Sequence, residues 1–192
     1  WAVIAEKHRV MLFGTFPFDE HWRGVLVIAI VIGMAIISAF KRFWSYWLFV
    51  AWLGAMVVIL VLQLGGVFGL KETGTFEWGG LPLTLIIFVG TVVGGLPMAV
   101  LLALGRRSNL PVIKSLCIGM IEITRGVPLI TVLFMASLMF PLFLPEGITI
   151  DKVLRAQIGM IMFFGAYAAE IVRGGLQAIP RGQYEAADAA GL

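Results

Sequence analysis

An all-α membrane bundle of about five spans is the fold class this sequence predicts, and three observations predict it. Hydrophobic residues make up 60% of the 192 and charged residues only 13%, against roughly 25% charged in an ordinary soluble domain. Mean hydropathy is +1.01, more apolar than a soluble core of this size needs. The apolar residues also come in long uncharged blocks parted by short charged clusters, the pattern of a chain whose solvent alternates between lipid and water.

Residues 1–23 are mixed in character and read as a flank. The first span is 24–40, uncharged and, at roughly 1.5 Å per residue, just long enough for a hydrocarbon core of about 30 Å. Lys41 and Arg42 interrupt it. The second, 43–70, carries Trp44, Tyr46, Trp47 and Trp52 near its start, as an interfacial aromatic belt does, and loosens at Gly65, Gly66 and Gly69. The third, 81–104, contains Pro97 with Gly90, Gly94 and Gly95, residues tolerated in lipid where neighbouring helices satisfy the backbone. Gly90 and Gly94 share a small-residue face, which reads either as a helix contact or as the ordinary glycine content of membrane helices. A fourth stretch, 111–144, is apolar but broken by Lys114, Glu122 and Arg125, and a fifth span covers 153–172. From Arg173 onward the chain turns polar and rich in small residues.

Cytoplasmic loops carry the excess of Lys and Arg. The connectors holding Lys41 with Arg42, Arg106 with Arg107 and Lys114, and Arg173 with Arg181 are basic, and they alternate with loops where Lys71 and Lys152 sit beside Glu72, Glu77, Glu146 and Asp151. The first, third and fifth spans then run inward, the second and fourth outward, and residues 1–23 lie outside as an extracytoplasmic flank. Lys7, Arg9 and Arg23 weigh against that flank position, so an upstream span or signal is expected before Trp1.

The net charge of +3 comes from scattered loop residues without a basic stripe of interleaved aromatics, so no nucleic-acid partner is expected. Cys117 is the single cysteine and reads as packing, since Leu116 and Ile118 flank it. No paired His or Asp has ligand or nucleophile spacing, and His8 and His21 both fall in the flank, so neither a metal site nor intramembrane catalysis is expected. No cofactor is expected. No G-x-x-x-x-G-K-[ST] occurs, so these residues offer no phosphate cradle of their own.

Three features exceed what a generic bundle needs. Glu122 and Arg125 stand one helical turn apart inside an apolar stretch, where an isolated charge costs at least about 2.5 kcal/mol, and their spacing lets them pair. They read either as an intramembrane site or as an interfacial pair at the start of a helix. The pattern Glu122-Ile-Thr-Arg125-Gly126 is then echoed by Glu170-Ile-Val-Arg173-Gly174. Finally, 183–190 is an Ala-rich helix punctuated by Pro180 and Gly182 before it and Gly191 after it. Too short to be stable alone, it should dock on something. Thr131, Ser137 and Tyr167 are polar groups that suit a substrate path and equally suit helix packing.

At the tail a family resemblance becomes specific. Glu185, Ala186 and Ala187 followed by Gly191 resemble the EAA loop of binding-protein-dependent ABC importer permeases, and the run from Gly165 through Glu170, Arg173 and Pro180 to Gln183 is similar to the polar-amino-acid branch. Gly80 to Leu85, Leu104 to Ser108 and Glu122 to Leu129 are similar to the same branch, so the resemblance covers 79–192, while the two spans within 24–70 look like those of general L-amino-acid permeases. It implies a type I ABC importer permease fold, in the bacterial cytoplasmic (inner) membrane, that hydrolyses nothing itself. It implies ATP-binding cassette ATPase subunits docked on Glu185, Ala186, Ala187 and Gly191, a second permease subunit, homologous or identical, and an extracytoplasmic amino-acid-binding protein, with membrane lipid around them. The family's loop continues past its Gly into an Ile-x-Leu-Pro stretch and two more spans that are absent here, so the sequence is expected to be truncated at both ends. Charges at Glu122, Arg125 and Glu170 also leave open an ion-coupled secondary transporter or channel subunit.

Overall fold

The structure, a computed structural model, describes Lys7, Arg9, Val10 and residues 12–191; His8, much of the flank before it, and Leu192 lie outside the described residues. Among the described residues every regular element is helical. A 3₁₀ turn, Phe18–Glu20, leads into α1, His21–Ala39. The next helices are α2, Tyr46–Leu64, and α3, Gly80–Arg106. α4, Pro111–Gly126, is followed by α5, Leu129–Phe134, which continues through a π-helical turn, Met135–Met139, and a 3₁₀ turn, Phe140–Phe143. α6, Lys152–Gln177, and α7, Arg181–Ala189, complete the order. Four helices are long and apolar enough to cross a membrane: Phe18–Ala39, Tyr46–Leu64, Gly80–Arg106 and Lys152–Gln177.

The fourth stretch departs from the single span its composition predicts. Pro111–Gly126 and Leu129–Phe143 meet at 104°. The break falls where Val127 is extended (φ −115°, ψ 144°) ahead of Pro128, the conformation toward which a proline ring pushes the residue before it. The fifth span, in turn, is longer than its apolar run, since α6 carries on past Arg173 to Gln177.

The chain forms two compact units. One comprises 1–93 and 149–157. Between helices in lipid there is no hydrophobic driving force, so close packing and polar contacts hold them. Here Val27, Val31, Ile59, Ile86 and Val89 make the packed centre, and Ser38 ties α1 to α2, its hydroxyl accepting from Trp52 Nε1 at 3.0 Å. Tyr46, Trp47 and Trp44 are left exposed, as an interfacial belt requires.

Arg23, counted among the flanking charges by sequence, is wholly buried in α1. Its guanidinium donates to the carbonyls of Leu62 and Gln63 (3.2 Å for Gln63) and of Lys71 (2.9 Å), and pairs with Glu20 at 3.5 Å. The first two are among the last carbonyls of α2, which no turn beyond can satisfy, and a cation there also meets the negative end of the helix. Gly65 makes the approach possible: its φ is +68°, and a Cβ would stand 2.9 Å from Arg23 Nη2 and collide with the Lys71 carbonyl.

At the loop end of this unit Asp151 starts α6. Its Oδ1 accepts from the backbone N–H of Val153 (2.8 Å) and Leu154 (3.2 Å), and its Oδ2 accepts from the Thr75 hydroxyl. Burial alone would raise the Asp151 pKa, but these hydrogen bonds and the charge of Arg155 together outweigh it and hold the carboxyl below its ordinary value. Gly90 meets Gln157, whose amide donates to Thr91 Oγ1 at 3.1 Å.

The second unit comprises 94–148 and 158–192. Small residues let its helices approach closely: Ala99, Ala103, Ala168 and Ala169 are buried with Leu102 and Ile121. A Cβ on Gly94 would lie 2.7 Å from Ile161, and one on Gly95 would overlap Phe164. The small-residue face of α3 is thus used within this chain. Cys117 packs its sulfur over Gly105, as its apolar neighbours predict.

Candidate functional site

Three helices of the second unit bring five charged side chains together. α3 ends on Arg106, α4 carries Glu122 and Arg125 in its last two turns, and α6 carries Glu170 and Arg173. Glu170, with 17% of its side chain exposed, is the hub. Its Oε1 accepts from Arg106 Nη1 at 2.6 Å, and its Oε2 lies 2.7 Å from Arg173 Nη2 and 4.0 Å from Arg125 Nη1. Arg106 Nη1 also reaches Glu122 Oε1 at 3.1 Å. Arg173 Nη1 donates to Gln177 Oε1 at 2.8 Å, which helps carry α6 a turn beyond its apolar run.

The expected pair between Glu122 and Arg125 does not form: among the described residues no ion pair joins them. Each takes a partner on another helix. Glu122 turns to Arg106, while Arg125 stacks over the Tyr167 ring, 5.4 Å from its centroid, and leans toward Glu170. Tyr167 Oη donates to the Arg125 carbonyl at 3.5 Å. Three arginines facing two carboxylates leave the cluster with a surplus positive charge. Arg106 is the member that sequence reasoning passed over as a loop charge. Its partners lie on two other helices, sixteen and sixty-four residues away, so nothing in its own stretch of sequence signals the contact.

The three polar residues considered for a path do not gather at one place. Tyr167 belongs to the arginine cluster. Thr131 opens on a shallow hollow on α5 with Ile130 and Phe134, and Ser137 is half-buried in the π turn. That turn was not legible in the sequence; such i→i+5 turns are frequent at functional sites.

α7 stands apart in character. It runs Arg181–Ala189, starting two residues earlier than its Ala-rich stretch, and none of its residues is buried. Glu185 and Ala186 are exposed and Ala187 half-exposed. Tyr184 Oη donates to the Leu176 carbonyl at 3.3 Å. Gly191 ends it with φ +75°, the left-handed conformation that closes helices and favours glycine, and its N–H donates to Asp188 O at 3.1 Å.

Residues 95–192 match the family described as binding-protein-dependent transport system inner membrane component. Over 200 residues the chain is 46% identical to the inner membrane amino-acid ABC transporter permease protein YhdY of Escherichia coli (strain K12), an alignment covering all of this chain and 53% of that protein. It is 36% identical over 249 residues to the glutamate/glutamine/aspartate/asparagine transport system permease protein BztC of Rhodobacter capsulatus, covering all of this chain and 57% of the other. A crystal structure of an amino acid ABC transporter with histidines shares 33% identity at a TM-score of 0.48, over 57% of this chain and 49% of that one. The chain spans about half the length of the curated relatives it matches.

Proposed function

We propose, from the premise that this chain belongs to the family of binding-protein-dependent transport system inner membrane components, that it is part of the permease of an ATP-driven amino-acid importer of a bacterial inner membrane. Two relatives are named for amino acids and for glutamate, glutamine, aspartate and asparagine, which supports a polar amino acid as the substrate class. The permease pairs with a second permease subunit, receives substrate from an extracytoplasmic binding protein, and takes its energy from separate ATPase subunits. Family membership favours this over an ion-coupled carrier or channel.

The observation that carries the reading is α7, a discrete helix with no buried residue. Nine residues are too few to be stable in water alone, so an exposed helix of this length calls for a surface to dock on. Ala186 and Ala187 permit close approach, and Glu185 is the polar anchor for a basic group on the ATPase. Losing one partner of such a partly desolvated pair costs about 2–5 kcal/mol.

Sidedness finds support inside each unit. The hydrogen bond between Thr75 and Asp151 joins two loops that charge counting puts outside, and the Arg106, Glu170 and Arg173 contacts join residues it puts near the cytosol. On this reading Thr75 and Thr149 lie outside, Arg107 and Arg173 inside. Single-cysteine labelling with an impermeant reagent in a Cys117→Ser background checks this, and modification at 107 but not at 149 in intact cells reverses it.

For the coupling role, Glu185→Lys and Ala186→Trp in the full-length permease should abolish substrate-stimulated ATP hydrolysis while leaving membrane insertion intact. Gly191→Trp is a weaker test, because its φ of +75° strains any side chain before docking is considered. Normal coupled transport by both of the first two variants would remove α7 as the coupling element.

The charged cluster is the second part of the proposal. Glu122, Arg125, Glu170 and Arg173, joined by Arg106, form the cytosolic end of the translocation unit, with Tyr167, Thr131 and Ser137 offered to the path. Glu170 and Arg173 stand in a helix long and apolar enough to span the membrane, where charge is a functional-site hypothesis by default.

A further inference from the structure

α4 has three faces rather than two. One packs Cys117, Ile121 and Thr124 into the unit's core, and a second carries the charges that enter the arginine cluster. The third is formed by Val112, Leu116 and Ile123, at i, i+4 and i+11 on one stripe, exposed at 68%, 68% and 73%. A soluble helix does not leave its largest aliphatic side chains so open.

Two observations identify what covers that stripe. The first is geometry: α4 stands at 104° to Leu129–Phe143, so when that arm follows the bilayer normal α4 lies nearly in the membrane plane. At about 1.5 Å per residue the arm reaches only about 22 Å, short of a hydrocarbon core of about 30 Å. The shortfall matches the roughly 5–10 Å to which an interfacial helix sinks its apolar face. The second is charge: from Gly105 to Ile121 the chain has Arg106, Arg107 and Lys114 and no acidic residue. Arg107, just before the helix, and Lys114, on the side of it away from the aliphatic stripe, are exposed, a polar side that anionic headgroups of an inner leaflet attract.

We infer that Pro111–Gly126 is an interfacial helix sunk in the cytosolic leaflet, its Val112, Leu116 and Ile123 stripe among acyl chains and its Arg107 and Lys114 on anionic lipid phosphates. The arginine cluster on its other flank is thereby held at headgroup depth, which gives lipid charge a route to the translocation unit. From the proposed function this borrows only the side of the membrane.

The test uses the full-length permease in vesicles of phosphatidylcholine mixed with phosphatidylglycerol. Spin labels at V112C, L116C, I123C and K114C in a Cys117→Ser background report depth from collision with oxygen and with a water-soluble nickel complex. The first three should favour oxygen at about 5–10 Å below the phosphates, and the fourth should sit at the phosphates. On the unaltered chain a photoactivatable phosphatidylglycerol should label 111–126, with yield falling about fivefold for each of R107Q and K114Q. Nickel-accessible labels at 112, 116 and 123 overturn the inference. Labels shielded from both reagents overturn it too, because a second copy of the chain then covers the stripe. Equal labelling of 111–126 by a neutral photolipid overturns the anionic part. Depth is read without transport, so failure here is distinct from failure of the importer reading.

Discussion

Glu122-Ile-Thr-Arg125-Gly126 and Glu170-Ile-Val-Arg173-Gly174 are the same pattern placed in two helices, and they behave differently. In the second copy the glutamate and arginine pair with each other across one turn at 2.7 Å. In the first they ignore each other, Glu122 taking Arg106 and Arg125 turning to Tyr167 and Glu170. The second copy lies well inside α6, with helix on both sides. The first lies at the end of α4, one residue before the chain bends through 104°. An i,i+3 pair on a helix is worth only about 0.2–0.5 kcal/mol, so a partner on another helix easily outcompetes it. Spacing offers a pair; the neighbouring helices decide whether it is taken.

The largest effect that sharpens this contrast comes from the hub. Glu170→Gln strips the charge that three arginines share and leaves them facing one another. A loss of about 3–5 kcal/mol is expected, read as a sharp fall in thermal midpoint and in yield of the full-length protein in detergent. A midpoint within a degree of the parent's would mean that the cluster does not hold α3, α4 and α6. Arg106→Gln comes next, at about 2 kcal/mol, because Glu170 keeps Arg173 while Glu122 loses its ion-pair partner.

Asp151 supplies a carboxylate held by hydrogen bonds as well as charge, and so a reference for the cluster. Asp151→Ala removes an N-cap and should cost about 1 kcal/mol, little affected by salt. Its pKa is lowered from 3.8 in the folded chain, so its contribution is fully present above the unfolded value and disappears as pH falls through the lower folded one. Asp151→Asn keeps the cap oxygen and should flatten this acid limb of a stability profile. An unchanged acid limb would show that other carboxylates produce it.

Much of this was legible in sequence because long apolar runs leave few alternatives: α3 was expected over 81–104 and runs Gly80–Arg106. The bend was harder to read, since Val127-Pro128-Leu129 continues an apolar run and hydropathy does not register backbone angles. Only the bias of a residue before proline away from helix points to the place, and Leu96 ahead of Pro97 stays helical in α3 despite it. Arg23 escaped for a related reason. A charge at the head of an apolar run looks like a loop residue, and nothing local shows that the carbonyls of α2, some forty residues on, will surround it. Arg106 was hidden in the same way, its partners being sixteen and sixty-four residues distant. What pattern reading captures is period and composition along one helix, and what it loses is partner choice between helices.

The smallest effect is the most direct test of the comparison itself. If Glu122 and Arg125 were a helix pair, reversing both charges, E122R with R125E, would preserve it and recover most of what either single reversal loses. The structure predicts otherwise. An arginine at 122 would meet Arg106, and a glutamate at 125 would meet Glu170, so the double swap sets like charges together at both contacts. Glu122 is more than half exposed and Arg125 about a third, so solvent screens each contact to at most about 1 kcal/mol. The two single losses should therefore add, with a coupling energy near zero on a double-mutant cycle read by thermal midpoint. The same swap in the second copy, E170R with R173E, should by contrast lose less than its two singles summed, because it restores the pair across one turn, although Arg106 and Arg125 still face the new arginine. Clear rescue at 122 and 125 would make the two copies equivalent after all, and would mean that the pair forms in the assembled permease.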